Sequence, residues 1–138
     1  MLAAAQGNAD AQLFVGGLYI KGHGVPQHYK QALEWITKAA KQGNTDAQVS
    51  LGFFYDTGLL GSQDYTESVK WFKKAAEQGT ATAQCNLGHI YSIGQGVPQD
   101  YPKAIKYYLL AAEQGYADSQ FNLGLIYERK PDGVKRRF

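Results

Sequence analysis

Apolar residues along this chain fall at helical spacing in short segments. Ala11, Val15, Leu18 and Tyr19 share one face, which predicts a helix from about Asn8 to Lys21. Gly22-His23-Gly24-Val25-Pro26 then breaks it, because glycine permits positive φ and proline lacks an amide donor. A second stripe of Ala32, Ile36, Ala39 and Ala40 predicts another helix from near Tyr29, closed by Gly43 as its C′ residue.

The whole pattern recurs. Gln12, Gln48, Gln84 and Gln120 stand 36 residues apart, and the same step links Gly16, Gly52, Gly88 and Gly124, and Tyr19, Tyr55, Tyr91 and Tyr127. A period in this range marks a solenoid, so it outranks local propensity. The spacing divides the chain into complete units 8–43, 44–79 and 80–115, with a half unit at 1–7 and a partial unit at 116–138, all in one domain over 1–138. Asn8, Asn44 and Thr80 are suitable N-caps, as are Asp64 and Asp100 for second helices, and Asp64 with Glu67 has the form of a capping box. Ser68, Phe72, Ala75 and Ala76 repeat the second-helix stripe, and its alanine pairs call for close helix contact. Gly16 and its counterparts would each cost about 1 kcal/mol relative to Ala in a free helix. Tight approach of a neighbouring backbone is the expected reason for them.

The phrases "LGFFY", "LGHIY" and "LGLIY", with "GVPQHY" or "GVPQDY" and "AA-x-QG", closely resemble the Sel-one-like repeats. These are solenoid relatives of the tetratricopeptide repeat, whose period is about 34. The resemblance covers nearly the whole chain and implies an all-α fold, a right-handed α-α superhelical solenoid of helix-turn-helix repeats. It also implies that first helices line a concave surface. Some relatives carry a disulfide in every repeat, which Cys85 alone cannot supply. The second repeat has "GLLGSQDY" where others have the Gly-Val-Pro loop, so a different loop path is expected there.

Composition narrows function by exclusion. A chain 44% hydrophobic and 19% charged is a folded chain, and a net charge of +2 is too small and dispersed for a nucleic-acid binder. No apolar run approaches the ~20 residues of a membrane span, and "MLAAAQG" does not read as a signal peptide. The compartment stays open, because the resemblance spans bacterial cytoplasm and periplasm and the eukaryotic secretory system.

Catalytic chemistry finds no foothold. A reaction centre needs its groups once, whereas the Tyr, Gln and Gly columns occur in every unit, as packing requires. Cys85 and His89 have the spacing of a metal half-site, but His23 and His28 lie in or beside a loop one repeat away, and Cys85 shares the column of Leu13, Val49 and Phe121. "GLLGSQ" lacks the lysine and hydroxyl of a phosphate loop. No metal, cofactor or enzyme activity is expected. The tail "KPDGVKRRF" aligns with "GVPQDY" and reads as the start of an unfinished repeat, since four charges would release few counterions.

Two surfaces are then expected to bind. Opposite the core stripe of the first helices lie Phe14 and Lys21, then Ser50, Phe53 and Thr57, then Asn86 and His89, then Asn122 and Leu125, which vary from copy to copy. Apolar points among amides and hydroxyls suit a peptide or protein surface. Asp10, Asp46 and Asp118 on the same face also lie near helix N-termini, where they favour the dipole. The expected function is a non-catalytic adaptor or scaffold, with a spacer or self-assembling array segment as the alternative. The second surface is the C-terminal end. Phe121, Leu123, Leu125, Ile126 and Tyr127 have no following helix in the pattern, and Leu109 and Leu110 occupy columns filled elsewhere by Thr37, Lys38, Lys73 and Lys74. Leu109, Leu110, Phe121 and Tyr127 are accordingly expected to support homo-oligomerisation.

Overall fold

The computed structural model describes residues 7–21, 29–59, 61 and 63–129, without the side chains of Val15, Leu18, Tyr19, Ile20, Lys21 and Arg129. The first repeat's Gly-Val-Pro loop with His23 and His28, and the "KPDGVKRRF" tail, lie outside these residues. The described residues are helices and turns: α1 Ala9–Lys21, α2 Tyr29–Lys41, α3 Thr45–Thr57, α4 Tyr65–Glu77, α5 Ala81–Ile93, α6 Tyr101–Glu113 and α7 Ala117–Arg129. The fold is an all-α repeat solenoid. Residues 1–78 and 79–138 form two compact units, the first holding α1–α4 and the second α5–α7.

Four of the described helices start at a side-chain cap. Asn8, Asn44, Asp64 and Asp100 accept from amides three residues on, at 2.8, 2.8, 3.1 and 3.0 Å, which satisfies donors that have no partner inside the helix. Thr80 makes no such bond, contrary to expectation. Only half of the capping box forms. The Asp64 amide donates to the Tyr55 carbonyl, and the Glu67 carboxylate lies 3.8 Å from Lys70. Gly43 has φ of +93°, and the Asn44 amide donates back to the Ala39 carbonyl, closing α2 in the left-handed conformation that glycine adopts without strain.

In the first unit, Ile36, Ala39, Ala40, Ala47, Leu51 and Trp71 form one buried cluster, with Leu13, Leu33, Phe54 and Tyr55 packed on it. The predicted stripes of α2 and α4 are buried throughout. In the second unit Leu87, Ile90, Tyr91, Ala104, Tyr108, Ala111, Leu123 and Ile126 are buried. The burial of Leu123 and Ile126 corrects the expectation that α7 leaves its apolar face uncovered, because α6 packs on it.

The repeated glycine makes room for a side chain more than for a backbone. A Cβ at Gly52 would stand 2.6 Å from the Phe72 ring, and one at Gly88 2.6 Å from the Tyr108 ring. At Gly16 the closest atom would be an Ile36 side-chain carbon at 2.5 Å, with the Ala32 carbonyl at 3.2 Å. In each case the partner is twenty residues downstream, in the repeat's second helix.

Candidate functional site: the first-helix face and its supports

Glutamines fix where the first helices stand. Gln48 is buried in α3, where its Nε2 donates to the Ala40 carbonyl at the end of α2 (3.1 Å). Its Oε1 accepts from Gln78 Nε2 at the end of α4 (2.9 Å), and Gln78 also donates to the Gly43 carbonyl (3.2 Å). Gln42 donates to Gln12 in the same way at 2.7 Å, and Gln114 to Gln84 at 2.9 Å. One amide thus ties a first helix both to the preceding second helix and to its own. The recurrence of Gln12, Gln48 and Gln84 with Gln42, Gln78 and Gln114 was visible in the sequence as two columns; what the sequence did not show is that the columns bond each other.

The second repeat's loop is also fixed, despite its different sequence. Asp64 donates from its amide to the Tyr55 carbonyl (2.9 Å), and Asp100 does the same to Tyr91 (2.8 Å). Gln63 Nε2 reaches the Asp56 carbonyl at 2.6 Å, and Gln99 Nε2 the Ser92 carbonyl at 2.8 Å. Gly58 and Gly94, both with φ of +73°, open the two loops. The expectation of a different path fails at both ends, because the shared Gln-Asp-Tyr makes the closing bonds. Inside the loops the copies differ, with Gly61 at φ of +151° and Gly96 at +77°.

On this frame the predicted face residues take distinct places. In the first unit Phe14 is 68% exposed, the Thr57 side chain is exposed, and Ser50 is half-buried. Phe53 is less free than expected. It is 38% exposed, and its ring stands edge-on to Phe72 at 5.2 Å and 87°, so it supports the ring that fills the Gly52 socket. Thr57 spends its hydroxyl proton on the Phe53 carbonyl (2.9 Å). Asp10 accepts from the Asn44 side chain (2.7 Å), which gives that aspartate a structural bond to the next helix's cap. The Lys21 side chain lies outside the described residues.

In the second unit His89 and Ile93 are exposed, while Asn86, Asn122 and Leu125 are half-buried. Asn86 donates to the Thr82 carbonyl of its own helix (2.8 Å). Cys85 is buried, and burial pushes its thiol up; Ser119 and Asn122 act against this, Asp118 with it. A protonated thiol is a poor ligand and nucleophile. The Ser119 hydroxyl beside it is fully buried. No group of three or more His, Cys, Asp or Glu side chains is placed to hold a metal among those residues. No helix there is long and apolar enough to cross a membrane.

At the C-terminal end Leu109 and Leu110 are each 39% exposed and Phe121 67%. Tyr127 does not join them: it is half-buried and engaged in contacts of its own.

The repeat geometry is matched by a known family. The Sel1 repeat pattern fits residues 9–44, 45–80, 81–116 and 117–136. The chain belongs to the Sel1 repeat family. A solved structure similar to it is c5321, a protective antigen of uropathogenic Escherichia coli strains with an SLR fold: identity is 41%, TM-score 0.86, with 91% of this chain and 27% of that one covered. A Sel1 repeat protein from Oxalobacter formigenes is 40% identical with a TM-score of 0.82, over 91% of this chain and 50% of that one. Helicobacter pylori cysteine rich protein B shares the fold at 22% identity and a TM-score of 0.64, over 67% of this chain and 70% of that one. This Sel1 repeat chain spans at most half the length of the first two relatives. No curated protein matches it. Sel1 repeats generally serve as protein-interaction modules and are typically non-enzymatic scaffolds.

Proposed function

We propose that this Sel1 repeat chain is a non-catalytic adaptor that binds a peptide or protein surface on the face formed by its first helices. The observation that carries the reading is the contrast within α1 and α3. Gln12, Gln48, Gly16 and Gly52 are committed to packing, while Phe14 projects into solvent beside the variable positions 50, 53 and 57. An exposed aromatic on a helix already fixed by its neighbours loses little entropy when it is covered. The half-buried amides of Asn86 and Asn122 are suited to pair with a peptide backbone.

Selection of peptides from a random display library on the immobilised chain tests this reading. Selected peptides should lose affinity by about tenfold or more with Phe14→Ala, on the scale of an interface anchor, while the variant melts as the parent does. Peptides indifferent to that substitution would remove the face of α1 and α3 from consideration.

A second reading, a spacer or self-assembling array segment, is favoured by the exposure of Leu109, Leu110 and Phe121 on α6 and α7.

A further inference from the structure

Charge in the first unit is divided between its two kinds of helix. The first helices carry Asp10, Asp46 and Asp56, with no basic side chain among the described residues, the Lys21 side chain lying outside them. The second helices carry Lys30, Lys38 and Lys41 on α2 and Lys70, Lys73 and Lys74 on α4, against Glu34, Glu67 and Glu77. Helix dipoles account for part of this division, because Asp10 and Asp46 stand in first turns. They do not account for Asp56, which stands in the last turn of α3, where a carboxylate is disfavoured. The hydrogen bond from the Asn44 side chain to Asp10 (2.7 Å) sets the first turns of α1 and α3 side by side. Asp46 is exposed, and the residue in the column of Asn44 one repeat on is Thr80, which has no amide to give it. One turn along α1 from Asp10, Phe14 is 68% exposed. Gly17 leaves the helix surface beside that ring open, since a Cβ there would meet nothing within 4 Å among the described residues. Carboxylate and ring thus stand one helix spacing apart on the same face, roughly 10 Å.

We infer that this face selects a basic peptide segment: an apolar side chain of the peptide covers the Phe14 ring over Gly17, and a lysine or arginine reaches Asp46. Charge decides the occupant. An acidic segment would meet carboxylates in both the first and the last turn of α3. A basic one is drawn to this face and repelled by the lysines of α2 and α4, so its approach is steered to one side of the unit. An extended peptide rises about 3.3 Å per residue, which puts the cation about three residues from the apolar anchor. The two groups divide the work. The ring supplies contact area, while Asp46, exposed to water, adds little affinity but discriminates against acidic sequences. The inference deepens the adaptor reading above and rests on it.

The peptides selected from the random library on the full chain supply the test. Their sequences should be enriched in lysine or arginine about three residues from an aromatic or aliphatic side chain. Titration calorimetry should show their affinity falling several-fold from low to high salt. Asp46→Lys should weaken binding by about fivefold or more, and glutamate in place of the peptide's basic residue should recover binding to that variant alone. The charge swap separates recognition from damage to α3, which a changed peptide could not repair. Peptides without a basic bias, peptides indifferent to Asp46→Lys, or a swap that recovers nothing would each overturn the inference; where Phe14→Ala still weakens those peptides, the adaptor reading stands. A selection that yields no binder, or binders indifferent to Phe14→Ala, removes both.

Discussion

At the scale of single residues, the glycine column has opposite consequences depending on what lies opposite it. A methyl group on Gly52 would have to displace the Phe72 ring, which stands 2.6 Å from the Cβ position and is itself held by Phe53. Gly52→Ala should therefore cost about 1–3 kcal/mol through overpacking. Gly124→Ala meets no neighbour among the described residues, so the helix-propensity gain of up to about 1 kcal/mol should appear as stabilisation. Urea unfolding of the two variants should give midpoints on opposite sides of the parent's; a shared sign would mean that the α7 socket is filled. Tyr108 offers a second measurement. Burial pushes its phenol up to about 12, with a hydrogen bond to Ser92 opposing the shift and Cys85 adding to it. The folded state thus holds this proton more tightly than the unfolded chain, whose phenol titrates near 10. Stability from this source is complete below pH 10 and is lost as pH rises toward 12. Melting temperatures across that window should fall less steeply in Tyr108→Phe, a change the fold accepts in Phe72; Tyr55, shifted the same way chiefly by burial, keeps its own share. The sequence displayed the glycine column but not its cause, because the atoms that need the space lie twenty residues away on another helix.

At the scale of helices, two kinds of tie hold each first helix in place: apolar stripes and glutamine amides. The stripes were legible in full, since Ala32, Ile36, Ala39 and Ala40 at helical spacing are the residues α2 buries. The amide ties were not, because a glutamine column has no periodicity that names its partner. Gln48 and Gln78 should prove coupled. Each change to Ala should cost about 1 kcal/mol or somewhat more, and the double variant should lose about 0.5–1.5 kcal/mol less than the sum. Strict additivity in a double-mutant cycle would deny the 2.9 Å bond any energetic weight. The loop comparison carries the same lesson. Replacement of "QGVP" by "LLGS" suggested a new path, yet the ends are set by Gln-Asp-Tyr, which both copies retain. Register came from the bonding residues and not from the variable ones between them.

At the scale of the molecule, the repeat architecture was legible in the 36-residue period and the family in the phrases that recur with it, whereas the binding surfaces were legible only as columns. Variability marked Phe14 and Phe53 alike, but one is free in solvent and the other braces a core ring. The same limit applied at the C-terminal end, where five residues of α7 looked uncovered and α6 in fact buries Leu123 and Ile126. What remains exposed there is narrower: Leu109, Leu110 and Phe121. Exposed apolar side chains favour coverage by the nearest available surface, and in a concentrated solution of the pure chain that surface is another copy. Light scattering should therefore show mass rising with concentration. Leu110→Lys with Phe121→Lys should return the chain to a monomer at every concentration, because two like charges would then face the partner copy across a desolvated contact. A monomer that persists at high concentration, unaltered by either lysine, would show that the end of the second unit needs no cover in solution.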